Sequence, residues 1–558
     1  MFEKRKAAIL LMVLSVLFLL VYVGVLKHST TAVFLDIHNT EGEVRVSLVE
    51  QRMDFGSGLR LRSDEYTIAQ VNMQQSYGDG SNYFFLPDYM DLAEVYVVSS
   101  GTEGIAIEFE GNPVGAEPDT SYVLEENKEY TIDADDKKVS FRIMKGSALP
   151  TVWLDTDGQM DYVHEDKANM VNGEIFVLSG TGETEYAGNV ESFHGRGNSS
   201  WTAAKKSYTF KTEGMVSLLG MTPGRSWVLQ GGALDASCMR NKIFMDMAVE
   251  CGLENSVDSE WVDLYIDHEY YGCYLLTEKI TVASGRLEIG DLEEQMEVLN
   301  DLPLDEYSQF NVPGEIAVKG YLVENDPADL TGGYLLEVET YIHRYNLESS
   351  GFITREGIPI LIKGPEHASY NQVLYISSYV QQFEEALYSP DGYNSDEKYY
   401  LDYIDLESFA LRYLIEEISK NIDAGFSSYF FYKPEGEDKM YAGPVWDFDT
   451  GIGNSLWGDA EMLRDPNDLY VNRAIWTEQL WAKPDFRAAV AELYEEKLMP
   501  YLDELIAGGL DEYQETIYDS VQMEAVFMGR ENVEEDFRFI KEFLQGRRDF
   551  LEEELVGE

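Results

Sequence analysis

Basic residues are scarce in this chain of 558 residues. It contains 42 Lys and Arg against 102 Asp and Glu, which gives a formal charge of −60 at pH 7. A polyanion would be repelled by such a surface, so the charge balance argues against a protein whose main surface binds nucleic acid. The ordinary interpretation of the acid excess is a solvated surface on an exported protein.

Cysteine is also scarce, with only Cys238, Cys251 and Cys273. Three is an odd number and too few for a disulfide framework, and the spacing matches no zinc pattern. We therefore expect small, buried packing residues. One pair could be bridged outside a cell, but the sequence alone does not say whether any two approach closely enough.

Hydrophobic residues, in contrast, are plentiful. They make up 44% of the chain, and aromatic residues make up 13%. At this length the chain exceeds what one ordinary hydrophobic core serves. We expect a folded protein of two or more domains.

The one long apolar run lies at residues 7–26, directly after Lys4, Arg5 and Lys6. A run of about 20 apolar residues can cross a hydrocarbon core, and no convincing cleavage site follows it. The pattern predicts an uncleaved transmembrane helix rather than a signal peptide. The preceding positive charges predict a single-pass membrane protein with a cytoplasmic N-terminus and its bulk at the cell surface.

The remaining sequence divides in two. Residues 32–148 contain short alternating runs separated by Gly, Asp and Asn, which predict a small all-β domain with a spacer role. Residues 149–558 mix strands and helices and end in a helical part, with an acidic, turn-rich segment at 293–329 interpreted as an insertion. The predicted fold class is α+β, preceded by a cytoplasmic basic tip and transmembrane anchor at residues 1–28.

Three carboxylates stand on two aromatic segments of the second part. Asp423 follows a predicted helix over residues 406–419, and Asp447 and Asp449 follow a predicted strand and turn. A strand over residues 428–433 that turns back could bring the two segments together. Because Mg²⁺ prefers oxygen ligands, the cluster predicts a divalent cation site, in which one aspartate acts as a base.

A local cationic spot lies upstream, in Arg196 and Lys206 with Gly195 and Gly197. A phosphate-binding turn that leads into a lysine-bearing strand has this pattern, although a simple hairpin has it too. Lys205 and Lys211 are further candidates for the same role. The chain has neither a Gly-x-x-x-x-Gly-Lys-Ser loop nor a dinucleotide glycine fingerprint.

Together these segments resemble the CotH kinase family, named for spore coat protein H, whose members carry an atypical protein-kinase-like domain. The resemblance runs from about residue 149 to 555. The residues that carry it are Arg196-Gly-Asn-Ser-Ser-Trp201, Lys205-Lys206-Ser-Tyr208, Asp235-Ala-Ser237, Arg240-Asn241, Tyr265 to Glu278, Ile362-Lys-Gly-Pro-Glu366, Asn421-Ile-Asp423 and Pro444-Val-Trp-Asp-Phe-Asp449.

The resemblance implies ATP-dependent phosphorylation of Ser or Thr in a surface or coat protein, with Mg²⁺ or Mn²⁺. On this analogy Asp423 accepts the proton of the substrate hydroxyl and Asp447 binds the metal, with Asp449 as a second ligand or a support. The resemblance assigns the nucleotide to four residues: Arg196, Lys206, Glu278 and Arg240. Arg240 has a structural alternative, as an ion-pair residue.

Two departures from ordinary protein kinases keep other functions open. No glycine-rich loop precedes the lysine strand, and Ser428 stands where a typical catalytic loop has a metal-binding Asn. Asn421 or Asn454 could compensate. A non-catalytic envelope scaffold or adhesin is one alternative, and phosphate transfer to a glycan or a cell-wall polymer is another.

Overall fold

Short strands with alternating apolar residues form two sheets at the start of the chain, as their pattern predicts. The computed structural model describes residues 31–557, apart from 41–42, 54–58, 63–66, 101–104, 136, 199 and 456–459. One sheet has the strand order β3-β2-β1-β6-β9, and the other has the order β4-β5-β11-β10-β7-β8. The bounds are β1 Thr31–Thr40, β2 Glu43–Arg52, β3 Thr67–Asn72, β4 Gln74–Gln75, β5 Asn82–Leu86, β6 Val95–Ser100, β7 Ile107–Phe109, β8 Asn112–Pro113, β9 Ser121–Tyr122, β10 Tyr130–Ala134 and β11 Lys137–Lys145.

The expected membrane anchor needs correction. Within residues 31–557, less the gaps given above, no helix is long and apolar enough to cross a bilayer. The apolar run at residues 7–26 lies outside the described residues. The prediction of a transmembrane helix, and with it the single-pass surface location, therefore has no support in the structure.

Seven further strands close into a continuous sheet in the order β12-β13-β14-β15-β16-β18-β17. Parallel pairing of β12 with β17 closes it. The alternating residues on either side of Asp267 predict a hairpin over residues 261–276, and the structure contains it, because Asp267 and His268 have φ angles of 48° and 69° and reverse the chain between β17 and β18. The bounds are β12 Thr151–Asp155, α1 Met160–Glu165, β13 Met170–Leu178, β14 Thr184–Arg196, β15 Ser207–Val216, β16 Gly224–Gln230, α2 Arg240–Glu250, β17 Ser259–Ile266 and β18 Glu269–Glu278.

An open sheet with helices around it follows, in the strand order β19-β20-β22-β23-β21-β24-β25. The acidic segment at 293–329 is more regular than an insertion loop, because Leu292 and Met296 bury one face of α3 while Glu294 and Glu297 face solvent. The bounds are α3 Leu292–Leu299, β19 Gln309–Val312, β20 Ala317–Tyr321, β21 Tyr334–Val338, α4 Ile342–Tyr345, β22 Gly351–Ile353, β23 Pro359–Gly364, α5 Tyr370–Tyr388, α6 Leu406–Ser419, β24 Tyr429–Lys433 and β25 Tyr441–Ala442.

The chain from Asp485 onward is almost entirely helical, as its apolar spacing predicts. Two π-helical turns, Tyr494–Leu498 and Leu505–Gly509, interrupt the run. The α-helices are α7 Ala460–Arg464, α8 Thr477–Trp481, α9 Pro484–Leu493, α10 Met499–Glu504, α11 Leu510–Met528 and α12 Val533–Leu555.

Helix α11 joins the N-terminal sheets to the closed sheet. Met523 and Phe527 belong to the same buried cluster as residues of the N-terminal sheets. On its other side, Glu524 accepts a hydrogen bond from Lys205 Nζ at 2.5 Å. Ser520 Oγ donates to Asp263 Oδ2 at 2.7 Å. The C-terminal helices therefore hold both earlier parts of the chain.

The three cysteines carry no disulfide bond. Cys251 and Cys273 are buried, as expected of packing residues, and Cys238 is partly exposed. Cys238 Sγ lies 3.8 Å from the carbonyl oxygen of Cys273, so these two residues are neighbours.

Candidate functional site

Asp423 stands in a tight turn after α6. The helix ends at Lys420, which adopts the left-handed conformation with φ 48° and ψ 43°. The carbonyl oxygen of Asp423 accepts the amide protons of Phe426 at 2.8 Å and Ser427 at 3.1 Å. This closed turn fixes the backbone of Asp423 ahead of β24.

Asp447 follows β25 and is itself held in an unusual backbone conformation, with φ 70°. Ser428 Oγ donates a hydrogen bond to Asp447 Oδ2 at 3.1 Å. The next residue, Phe448, donates its amide proton to Asn241 Oδ1 at 2.7 Å. Ser428, directly before β24, thus holds the Asp447 carboxylate, and Asn241 of α2 holds the backbone that follows it.

Asn421 links the two aspartate segments directly. Its Oδ1 accepts the amide proton of Asp423 at 3.1 Å. Its Nδ2 donates to the carbonyl oxygen of Asp447 at 3.4 Å and to Glu416 Oε2 at 3.0 Å. The structure therefore brings the two aspartate segments together, as the turn of the chain between them predicts.

The charges of the three aspartates are poorly compensated. Burial, followed by the charge of Asp447, raises the pKa of Asp423 to about 7. Burial also raises the pKa of Asp447, although the hydrogen bond from Ser428 opposes the shift. Burial and the charge of Asp447 raise the pKa of Asp449 well above its usual range. Desolvated carboxylates that repel one another are a setting in which a bound cation is favourable.

Two arginines supply positive charge from opposite parts of the fold. Arg196, the last residue of β14, lies over the Trp446 ring at 5.0 Å, and its charge acts on Asp447. Arg344 in α4 acts on both Asp447 and Asp423. Lys279 is exposed and stands within electrostatic reach of Arg196. Cations therefore face the aspartates from the closed sheet and from the open sheet.

Lys206 and Lys205 have other partners. Lys206 Nζ donates to the carbonyl oxygens of Trp201 at 2.7 Å and Ala203 at 3.2 Å. Lys205 is buried and forms its ion pair with Glu524. Packing explains why residue 195 is a glycine, since a Cβ there would lie 2.2 Å from the Trp201 ring. The turn at Gly195 is thus shaped by Trp201.

Glu278 and Arg240 form ion pairs. Glu278 Oε1 lies 3.1 Å from Arg286 Nη1, and burial raises its pKa to about 7 although Arg286 opposes the shift. Arg240 pairs with Asp235 at 2.6 Å and with Asp536 at 2.7 Å. Arg240 Nε also donates to the Gly451 carbonyl at 3.1 Å, so it holds the loop after Asp449.

The oxygen donors at this junction suit a hard divalent cation. Asp423, Asp447 and Asp449 are all partly exposed, and carboxylates are the ligands that Mg²⁺ and Mn²⁺ take. Across the part of the chain that the structure describes, however, no three His, Cys, Asp or Glu side chains are gathered closely enough to hold a metal ion. The donor chemistry fits a metal, and the side chains would have to draw together around it.

The two asparagines that could compensate for Ser428 are engaged with the backbone. Asn454 Nδ2 donates to the carbonyl oxygens of Leu234 and Asp449, each at 2.6 Å. Asn421 has the partners described above. Both amides therefore hold the aspartate segments in place.

Sequence reasoning missed Lys279 and Arg344. Lys279 directly follows Glu278, and the alternation of β18 would have placed it on the opposite face. Arg344 lies in a short helix between strands, and no motif of the sequence pointed to it.

A separate groove of about 480 Å³ lies between α2 and the C-terminal helices. Lys242, Asp246, Tyr501 and Tyr513 contribute to its walls, and none of the predicted site residues does. The carboxylate junction is therefore distinct from this groove.

Comparisons with known proteins agree with the motifs. Residues 193–551 match the family described as CotH kinase protein. This span contains Arg196, Asp423 and Asp447 and covers more than half of the chain. The search of curated proteins found no match. The chain belongs to the CotH kinase protein family.

Proposed function

We propose that this protein transfers the terminal phosphoryl group of ATP to a Ser or Thr hydroxyl of another protein, with the help of Mg²⁺ or Mn²⁺. Membership of the family indicates a kinase-like function. The observation that carries the finer proposal is the double hydrogen bond of Asn421, which joins the Asp423 turn to the Asp447 backbone.

Asp423 is the residue we assign as the base. Its carboxylate would accept the proton of the acceptor hydroxyl while the hydroxyl oxygen attacks the terminal phosphorus. The bond from that phosphorus to the bridging oxygen then breaks, and ADP leaves. Burial raises the pKa of Asp423 to about 7, which suits a base that works near neutral pH.

Asp447 and Asp449 are the residues we assign to the metal. A metal ion bound there would neutralise phosphate charge. Arg196 and Lys279 are our candidates for direct contact with phosphate oxygens, because the charge of Arg196 acts on Asp447 and Lys279 lies within electrostatic reach of Arg196. Lys206, Glu278 and Arg240 would support the surrounding loops through the partners described above.

Two variants of the full chain test these assignments. Asp423→Asn should lower the rate of phosphate transfer by about 10²- to 10⁴-fold and leave nucleotide binding intact. Asp447→Asn should abolish the rise in thermal midpoint that ATP produces only when Mg²⁺ or Mn²⁺ is present. Asp157 is an exposed turn residue outside the candidate site. Asp157→Asn is therefore the matched control, and it should change neither the rate of phosphate transfer nor the thermal shift.

A non-catalytic scaffold is the second candidate. The specific observation in its favour is that, among the residues with described positions, no three acidic, His or Cys side chains are gathered for a metal. A scaffold predicts no thermal shift with ATP and either metal, and no transfer to any acceptor protein. That result would reject the kinase proposal.

A further inference from the structure

An exposed apolar surface lies beside the Asp423 turn. Tyr341, Ile342 and Phe426, which we name the apolar ledge, are 43%, 50% and 37% exposed. They come from two separate segments, the start of α4 and the turn after α6. Exposed apolar residues that cluster next to a candidate site are typical of an interaction surface.

Hydrogen bonds hold these two segments together. Thr340 donates to the Phe426 carbonyl oxygen from its amide at 2.8 Å and from its hydroxyl at 2.9 Å. Ser427 Oγ donates to Glu339 Oε2 at 2.9 Å. Arg344 Nη1 donates to Ser427 Oγ at 3.2 Å. The ledge is therefore a fixed surface, formed before any partner binds.

The ledge adjoins the proposed base. Phe426 donates its amide proton to the carbonyl oxygen of Asp423, within the same turn. Arg344 lies over the Tyr341 ring at 4.6 Å, and its charge acts on Asp423. An acceptor hydroxyl at Asp423 would thus have its neighbouring residues over the ledge, because an extended chain advances about 3.3 to 3.6 Å per residue.

The chemistry of the ledge suits a polypeptide better than a sugar. The rings of Tyr341 and Phe426 can stack on a sugar as well as on an apolar side chain, so the polar groups beside the ledge decide between the two. The polar groups beside it, on Thr340, Ser427, Glu339 and Arg344, already bond to one another or to the backbone. Few of them are left to bind the many hydroxyls of a glycan, whereas an apolar side chain needs none.

We propose that the apolar ledge binds the acceptor protein by seating a large apolar side chain within about three residues of the Ser or Thr that receives phosphate. This inference rests on the proposed function, because it takes Asp423 as the base. It adds a sequence preference in the acceptor protein, namely an apolar side chain close to the hydroxyl.

Binding and transfer are measured separately with two short, uncharged, fluorescent peptides. Both carry one central Ser; one has Leu two positions before and after it, and the other has Asn there. We expect the full chain to bind the Leu peptide about tenfold more tightly, with a correspondingly lower KM for transfer. Ile342→Glu should remove this preference. Val123→Glu, at a residue 64% exposed in the N-terminal part, should keep it.

The outcomes separate this inference from the proposed function. Equal binding of both peptides, or a preference for the Leu peptide that remains in Ile342→Glu, would contradict the proposal that the ledge binds an apolar side chain. Stronger competition by a neutral oligosaccharide than by the Leu peptide also overturns it. A different outcome is that Ile342→Glu removes the preference but no phosphate is transferred with ATP and metal. That result would support peptide binding at the ledge and reject the kinase proposal.

Discussion

Ser428 donates its hydroxyl proton to the carboxylate of Asp447 at 3.1 Å. This serine occupies the place where a typical kinase loop has a metal-binding Asn, and it contacts the very carboxylate that we assign to the metal. A hydrogen bond to a carboxylate stabilises its charged form. The departure from the usual kinase pattern is therefore at a residue that still acts on the proposed metal ligand.

Ser428→Ala should weaken metal-dependent ATP binding roughly 10- to 100-fold, because hydrogen bonds to charged groups contribute roughly 1.5 to 3 kcal/mol. Ser428→Asn should retain binding, since Asn tolerates the positive φ of 52° at this position and supplies a carbonyl ligand. Isothermal titration calorimetry with ATP and Mg²⁺ measures both. Wild-type affinity in Ser428→Ala would show that the hydroxyl does not matter.

Lys205→Met should destabilise the fold strongly. It leaves Glu524 buried with one cation fewer, and breaking such a pair costs about 3 to 5 kcal/mol. Adding Glu524→Gln should cause little further loss, because no buried carboxylate is then left with Arg530 as its only cation, and the amide oxygen can still accept from the Cys273 amide. Denaturant unfolding gives both values. Lys541→Met breaks an exposed pair with Asp511 and should change stability by less than about 0.5 kcal/mol; equal effects of the two lysine variants would contradict the prediction.

Asp263 should make stability depend on pH. Burial raises its pKa to about 7, partly opposed by the hydrogen bond from Ser520. Because the folded pKa lies above the unfolded one, the native state holds the proton more tightly. Stability is then greatest below pH 4 as far as this group is concerned, and it falls as pH rises to about 7, by up to about 4 kcal/mol.

Asp263→Asn should remove this dependence, because the amide never ionises and can still bond to Ser520. The check is the free energy of unfolding of both proteins between pH 4 and pH 8. Asp157→Asn, at an exposed turn, should keep the wild-type slope. A slope in Asp263→Asn as steep as that of the wild type would mean that other groups cause it.

Arg240→Lys should loosen the loop that follows Asp449. A lysine cannot bond to Asp235, Asp536 and the Gly451 carbonyl together, as the guanidinium does. We expect a lower thermal midpoint and weaker metal-dependent ATP binding. Arg538→Lys, in an exposed pair on α12, is the control for both readouts. A lower thermal midpoint with unchanged ATP affinity would show that Arg240 stabilises the position of α12 but does not affect the metal site.

Local signals predicted several elements well. The apolar repeat predicts α6 at residues 406–419, where it is found, and the structure adds Asp405 as the cap of its first turn. The same repeat gives α12 at residues 533–555. The union of the Asp423 and Asp447 segments also followed from one strand and one turn between them. These features depend on neighbours in the sequence, which periodicity and capping residues report.

Contacts between residues far apart in the sequence could not be predicted from periodicity or capping residues. Lys205 forms an ion pair with Glu524, 319 positions further along the chain. No sequence pattern near either residue predicts this pair. Strand β15 begins at Ser207, so the expected strand placement of Lys206 is displaced by one residue. A shift of that size decides which lysine faces which side of a strand. Side-chain partners therefore needed the structure, even where the motif was recognised.

The seating of α11 against the N-terminal sheets has a practical meaning for experiments. Tyr77 donates its amide proton to the Phe527 carbonyl at 2.8 Å, and Ser76 Oγ donates to the Val526 carbonyl at 2.6 Å. A fragment that starts near residue 149 would expose Met523 and Phe527 to solvent. A fragment that stops before residue 510 would remove part of the hydrophobic core of the first two sheets. The first and last thirds of this chain are best produced together, and variants at either end can act on the same packed interior.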